Sequence, residues 1–179
     1  MSIETLAKQG RDHIYGGLAA IDTARLRQMR DSSVRACFTR FDEARNRLEY
    51  VARIRGLEFI NDAAARSVNA TWYSLQRMEG GVIWMAFGGD SSANYQQLHQ
   101  LALRKVRMLI CIGNDNAALH QAFQTAVPII RDADTIKSAV NAAYYSGFDN
   151  LKVLFSPSTR QGLSDECAGM IFRNEVNEL

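Results

Sequence analysis

Few of the 179 residues carry side chains able to do chemistry, and they are widely spread. Three histidines, His13, His99 and His120, and three cysteines, Cys37, Cys111 and Cys167, are the candidates for metal ligation or nucleophilic catalysis. No recognised metal spacing connects them and no Cys-x-x-Cys pair occurs, so neither a metal site nor a disulfide framework is expected. Each histidine falls in a helical stretch and reads as a surface or half-buried helix residue. A Gly-x-x-x-x-Gly-Lys-Ser/Thr loop is absent, so no segment cradles phosphates in that way. Gly88-Gly89 lacks the third glycine of a dinucleotide fingerprint, and there is no Gly-x-Ser-x-Gly elbow. No cofactor and no catalytic residue are expected.

What remains is four short polar segments, each following an apolar run. They are Asn61-Asp62-Ala63-Ala64-Ala65-Arg66, Gly88-Gly89-Asp90-Ser91-Ser92, Gly113-Asn114-Asp115-Asn116 and Ser156-Pro157-Ser158-Thr159-Arg160. Their carboxylates and hydroxyls could hold an amine, and their two guanidinia, Arg66 and Arg160, could hold a small anion. No lysine occurs between Lys8 and Lys105 or between Lys105 and Lys137, so none of the first three segments offers an ammonium. The same residues also suit plain strand-to-helix turns, which need Gly and N-capping Asp or Ser. Asp62 could bond a ligand amine, cap the helix that starts near Ser67, or hold Arg66. A capping carboxylate is the commoner use and is worth about 1 kcal/mol.

The elements that would position these segments follow from periodicity. Leu48, Tyr50 or Val51, and Ile54, then Leu57–Ile60, form two short strands about Arg55-Gly56, a hairpin. Helix-period stretches follow at 67–78, 94–105, 115–124, 134–146 and 163–178. Apolar runs rich in branched residues lie between them at Val82–Phe87, Val106–Ile112, Val127–Ile130 and Leu151–Phe155. Continuous apolar strands alternating with helices mean a parallel sheet covered on both faces. The expected fold is α/β over 47–179: a doubly wound, mostly parallel Rossmann-like sheet with an N-terminal β-hairpin. A helical segment, 1–46, precedes it, with Asp31-Ser32-Ser33 between two helices. In such a sheet ligands sit beyond the carboxyl ends of the strands, where the polar segments stand.

Composition narrows the function further. The chain is 47% hydrophobic and 22% charged, with a formal net charge of +2, which suits a globular domain and excludes a histone-like protein or an acidic tail. The longest apolar run, Val82–Phe87, is far short of the roughly 20 residues of a membrane helix, so no membrane contact is expected. The N-terminus has no apolar signal region, and the sparse cysteines suit a reducing cytoplasm. Of 21 basic residues 17 are arginine, and nine of these lie between Arg25 and Arg55. Asp31, Asp42, Glu43 and Glu49 are interleaved with them, so this is a mixed solvated face and nucleic acid is not an expected partner.

Several separated blocks carry a family resemblance. Arg47-Leu-Glu-Tyr-Val51, Gly56-Leu-Glu-Phe-Ile-Asn-Asp62, Val68-Asn-Ala-Thr-Trp-Tyr73, Ala86-x-Gly88-Gly-Asp90, Leu109-Ile-Cys-Ile-Gly113 and Leu154-x-Ser156-Pro157 resemble, in order, the C-terminal domain of the Mur ligases. The D-glutamate-adding members of the family are the most similar. The resemblance covers about 47–160. It extends weakly to 12–45, where Ile14-Tyr-x-x-Leu-Ala-Ala20 resembles the end of the family's central ATPase domain. It implies a setting in peptidoglycan precursor synthesis. There an ATP-dependent ligase activates a carboxylate as an acyl phosphate for attack by an amino acid, which the C-terminal domain grips. The candidate ligand-binding residues, at these motifs and at the two loop guanidinia, are Asp62, Arg66, Asn69, Gly88, Gly89, Asp90, Ser91, Ser156 and Arg160.

The departures from the family pattern bear on function. Asp-Ser-Lys-Ala-Thr reads Asp62-Ala63-Ala64-Ala65-Arg66, so the lysine is Ala64. The lysine after the Gly-Gly loop is Ser91. Ser-Pro-Ala-Cys-Ala-Ser reads Ser156-Pro157-Ser158-Thr159-Arg160-Gln161 with no matching aromatic after it, and the central-domain His-Asn pair reads Asp12-His13. Each lost charge-assisted partner costs a few kcal/mol and each 1.4 kcal/mol is tenfold, so acidic amino-acid affinity should fall by orders of magnitude. The apolar strands and the Trp72-Tyr73 helix face read as retained scaffold. The expectation is a non-catalytic, Mur-ligase-like domain that binds a second copy of itself, through 1–45, or another protein, with a small anion or amino acid as a further ligand. The alternative is an amino-acid ligase, or its amino-acid-binding component working with a separate ATPase subunit.

Overall fold

The computed structural model describes residues 46–160 and 163–179. The expected helical segment, Cys37, His13, Gln161 and most of the arginine run lie outside the described residues.

Strands β1 (Glu49–Ile54) and β2 (Leu57–Asn61) form the expected antiparallel hairpin. Its turn is Arg55-Gly56, both at positive φ (47° and 78°), the geometry of a two-residue turn whose twist matches the strands. Glycine is required at 56 twice over: a Cβ there would also lie 1.7 Å from Asp149 Oδ1. Helix α1 (Val68–Arg77), β3 (Val82–Phe87), α2 (Gln96–Lys105) and β4 (Val106–Ile112) follow in strict alternation. Helix α3 (Ala117–Phe123), β5 (Ile130–Ala133), α4 (Ile136–Tyr144), β6 (Lys152–Phe155) and α5 (Asp165–Asn177) complete the chain.

The sheet runs β1-β2-β6-β3-β4-β5, and every pair except β1–β2 is parallel. Alternate residues of the central strands feed two separate cores, as the two-residue pleat requires. Ile83, Met85 and Phe87 of β3 join Met108, Ile110 and Phe155 in one, closed by Ala139 and Val140 of α4 and Phe172 of α5. Trp84 and Ala86 join Leu109, Cys111 and Leu154 in the other, closed by Leu75 of α1, Leu98 of α2 and Phe123 of α3. Phe155 stacks on Phe172 at 5.0 Å and Trp84 meets Phe123 edge-on at 5.2 Å.

Two expectations need correcting. The fifth strand is Ile130–Ala133, not Val127–Ile130. Val127 is buried as loop packing and Pro128 has no N–H to give a ladder, whereas Ile130-Arg131-Asp132-Ala133 sits at an edge that tolerates exposed polar residues. Trp72 and Tyr73 do not face the core. They are 40% and 49% exposed, and α1 packs through Thr71, Ser74 and Leu75 instead. Arg53 donates to Asn150 Oδ1 at 3.4 Å and Arg55 lies over the Tyr144 ring at 4.8 Å, so two of the described arginines of the basic run make contacts within the domain. Among the described residues no helix is long and apolar enough to cross a membrane.

Candidate functional site

Strands β3 and β6 are neighbours, yet the chain leaves them toward opposite faces of the sheet. β3 leads to α2, which packs with α1, and β6 leads to α5, which packs with α4. This divergence is a topological switch point, and it opens a cleft beyond the strand ends. Main-chain bonds tie its walls together. Asp62 N donates to Phe155 O (2.9 Å), Ser156 N to Met85 O (3.0 Å), Phe87 N to Pro157 O (3.2 Å) and Ser158 N to Ala65 O (2.9 Å). The cleft, about 420 Å³, is lined by Arg66, Asp90, Ser92, Ser158, Thr159 and Arg160, among others.

Three of the nine candidates therefore meet here: Arg66, Asp90 and Arg160. Their charges are largely answered from within the protein. Arg66 donates through Nη2 to the Arg160 carbonyl at 2.5 Å, and its Nη1 lies 3.6 Å from the Asp165 carboxylate. Asp90 Oδ1 accepts from the Ser92 hydroxyl (2.7 Å) and amide (3.1 Å), and Oδ2 accepts from Thr159 Oγ1 (3.2 Å). The Ser92 hydroxyl, and after it Thr159, hold this carboxyl below the usual carboxylate range. Arg160 is exposed. Ser158, at φ +62°, is buried beside the buried Tyr95 hydroxyl, and neither hydroxyl makes a hydrogen bond of good geometry.

Asp62 and Ser156 lie beneath the cleft, fully buried. Asp62 is not a helix cap and does not hold Arg66. The cap of α1 is Ser67, whose Oγ accepts from Ala70 N at 3.2 Å. Asp62 Oδ1 accepts instead from Leu48 N (3.2 Å), fastening the start of β1, and Oδ2 makes no hydrogen bond of good geometry. Burial pushes its carboxyl up to about 6, against the opposing pull of the Ser74 hydroxyl, the Leu48 amide, the Ser156 hydroxyl and the Arg47 charge. Ser156 Oγ bonds Thr71 Oγ1 (2.9 Å), and its carbonyl accepts from Trp84 Nε1 (2.9 Å).

The other candidates fall elsewhere. Gly88 and Gly89 line a separate, mostly apolar cavity of about 560 Å³ with Ile112, Ile136, Leu163 and Ile171. Lys137, at its rim, is paired with Glu175 (3.1 Å) and Glu178 (3.8 Å). Ser91 is exposed over a shallow depression beside Tyr95 and Gln96. Asn69 is exposed on the first turn of α1 and does not line the cleft. The candidate set omits Ser92, Ser158 and Thr159; Asp90-x-Ser92, an aspartate two residues before a serine, is a local turn signal that could have marked the first.

A second gathering of reactive side chains lies at the β4–β5 end of the sheet. Cys111, His120 and Asp132 bring one potential ligand atom each to within 4.8 Å of one another. His120 Nε2 is 2.9 Å from Asp132 Oδ1. Burial, and after it the Asp132 charge, pushes the Cys111 thiol up to about 12.

Comparison with known proteins agrees with the fold and the residue pattern. No protein-family model matches the chain. UDP-N-acetylmuramoylalanine–D-glutamate ligase of Porphyromonas gingivalis is 34% identical over 184 aligned positions, spanning 100% of this chain and 40% of the relative. The same enzyme of Bacteroides thetaiotaomicron is 35% identical over 183 positions, spanning 100% of this chain and 41% of the relative. The chain is a Mur ligase relative. Its similarity runs end to end, further than the blocks within 47–160, and the chain spans about 40% of the length of these Mur ligases. A solved structure of a bifunctional folylpolyglutamate synthase/dihydrofolate synthase from Yersinia pestis shares the fold. Its TM-score is 0.52 at 15% identity, covering 75% of this chain and 31% of that one.

Proposed function

We propose that this Mur ligase relative serves peptidoglycan precursor synthesis as a non-catalytic domain that acts by binding a protein or a small anion. The observation that carries the reading is the state of the switch-point cleft. Arg66 is committed to the Arg160 carbonyl and to Asp165, and Asp90 is committed to Ser92 and Thr159. Positions 64 and 91 are Ala and Ser, which bring no cation. A dicarboxylic amino acid entering this cleft would have to compete with the protein's own carboxylates for Arg66, and losing one charge-assisted partner costs roughly 1.5–3 kcal/mol.

Calorimetry on the full chain tests this. D-glutamate, other acidic amino acids and ATP are expected to give no binding heat at micromolar concentrations. A clear micromolar affinity for D-glutamate would overturn the reading.

One observation favours a second reading, an amino-acid-binding component of an ATP-dependent ligase working with a separate ATPase subunit. Ser158 and the exposed Arg160 line the same cleft, and the buried Ser158 hydroxyl, beside Tyr95, makes no hydrogen bond of good geometry. The micromolar heat described above would select it.

A further inference from the structure

The cluster at the β4–β5 end is built by the fold and not by local sequence. The parallel register places Cys111 directly across from Asp132, so the two side chains rise from the same face of the sheet. The crossover helix α3 lies over that face, with Leu119 and Phe123 in the core and His120 between them at the edge. His120 thus reaches Asp132, while Cys111 remains wholly buried below.

We propose that Cys111, His120 and Asp132 form a binding site for a borderline-soft divalent metal ion, zinc in the first instance. The donor set is one thiolate, one imidazole and one carboxylate, the mixture zinc accepts. Around a tetrahedral zinc, ligand atoms stand about 3.3–3.6 Å apart, so the 4.8 Å limit here requires a contraction of at most about 1.5 Å. Zinc replaces the thiol proton, which leaves to solvent.

The surroundings support ligation. Asn116 Nδ2 donates to Asp132 Oδ1 (2.8 Å) and to the carbonyls of Gly113 (3.0 Å) and Cys111 (3.3 Å), fixing the carboxylate relative to the β4 backbone. Outer partners of this kind set the orientation of metal ligands. A cleft of about 380 Å³, lined by Gly113, Asn114, His120, Asp132 and Asp134 among others, gives an ion a path to His120 and Asp132 and room for a water as fourth ligand, with the buried Cys111 behind it. The site departs from the absence of metal ligands expected from spacing, because its three ligands come from a strand, a helix and the next strand.

The test is Co²⁺ titration of the reduced full chain, followed by displacement with Zn²⁺. One equivalent of Co²⁺ should give a thiolate-to-metal charge-transfer band in the near ultraviolet and intense tetrahedral bands in the visible, both abolished by Zn²⁺. Absence of the thiolate band in the native chain overturns the proposal. Because Cys111→Ala could unfold the buried core, a double variant, Cys37→Ser with Cys167→Ser, leaves Cys111 as the one thiol. It should keep the band, and its loss there would place the thiolate elsewhere and overturn the assignment. His120→Ala, at an exposed edge, should weaken Zn²⁺ binding at least tenfold by calorimetry, and an unchanged affinity would likewise sink the proposal.

Discussion

The Arg66 guanidinium donates to the main-chain carbonyl of Arg160 at 2.5 Å, joining residues 94 apart in sequence. The same guanidinium lies 3.6 Å from Asp165 at the start of α5. One side chain thereby links the loop after β2, the loop after β6 and the last helix. Removing it should loosen the cleft without unfolding the domain. The bond is exposed and the ion pair long, so Arg66→Ala is expected to cost about 1 kcal/mol, with most of that from the carbonyl bond. A denaturant midpoint shift, with faster amide exchange at Cys167, checks it.

Asp62 gives the domain a pH dependence of known sign. Its carboxyl sits at about 6 in the folded chain against 3.8 when free. The folded state therefore holds a proton that the unfolded state has released, and stability falls as pH rises from about 4 to about 6. The full effect is about 3 kcal/mol. Asp62→Asn keeps an acceptor for Leu48 N and removes the buried charge. It is expected to be more stable than the native chain at pH 7, by up to that amount, and no more stable below about pH 4. Chemical denaturation at the two pH values measures this, and an Asp62→Asn chain weaker at pH 7 would refute it.

Gly88 is where two loops nearly touch. A Cβ there would lie 2.1 Å from Asn116 Oδ1 and 2.2 Å from the Asp115 carbonyl. The backbone oxygen cannot yield as a flexible side chain could. Gly88→Ala is expected to cost about 1–3 kcal/mol through overpacking. The same change should also weaken Zn²⁺ binding, since Asn116 donates to Asp132 Oδ1. Thermal unfolding with and without Zn²⁺ separates the two effects.

Lys105 closes the far end of α1. Its ammonium donates to the carbonyls of Leu75 (3.0 Å), Gln76 (2.6 Å) and Met78 (2.6 Å) at the helix C-terminus, where last-turn carbonyls lack helical partners and Leu75 O otherwise accepts only the capping Met78 N–H. Lys105→Met keeps the stem and removes the charge. A loss of about 1–2 kcal/mol is expected, read as a lower melting temperature.

Most of the scaffold was legible in the residues because each central strand is an unbroken apolar run bounded by turn residues. Val82–Phe87 and Val106–Ile112 read as strands buried on both faces, and the structure places them so. Arg55-Gly56 between alternating segments marked the hairpin. β5 was misplaced because an edge strand carries exposed Arg131 and Asp132, so its burial pattern does not set it apart from loop. The outward turn of Trp72 and Tyr73 was equally illegible, since Leu75 and two small polar residues, Thr71 and Ser74, supply the packing face of α1.

Sequence by itself determined the order of elements and the end of the sheet at which the polar segments stand. Periodicity and turn chemistry are local properties that a chain carries with it. Tertiary structure alone decided which side chains meet. Arg66 finds Asp165, and Cys111 finds His120 and Asp132, through strand register and helix crossovers that bring together residues no spacing rule connects. Contacts between distant segments depend on the three-dimensional path of the backbone, and it is there that the charges of the cleft are cancelled and three candidate metal ligands are assembled.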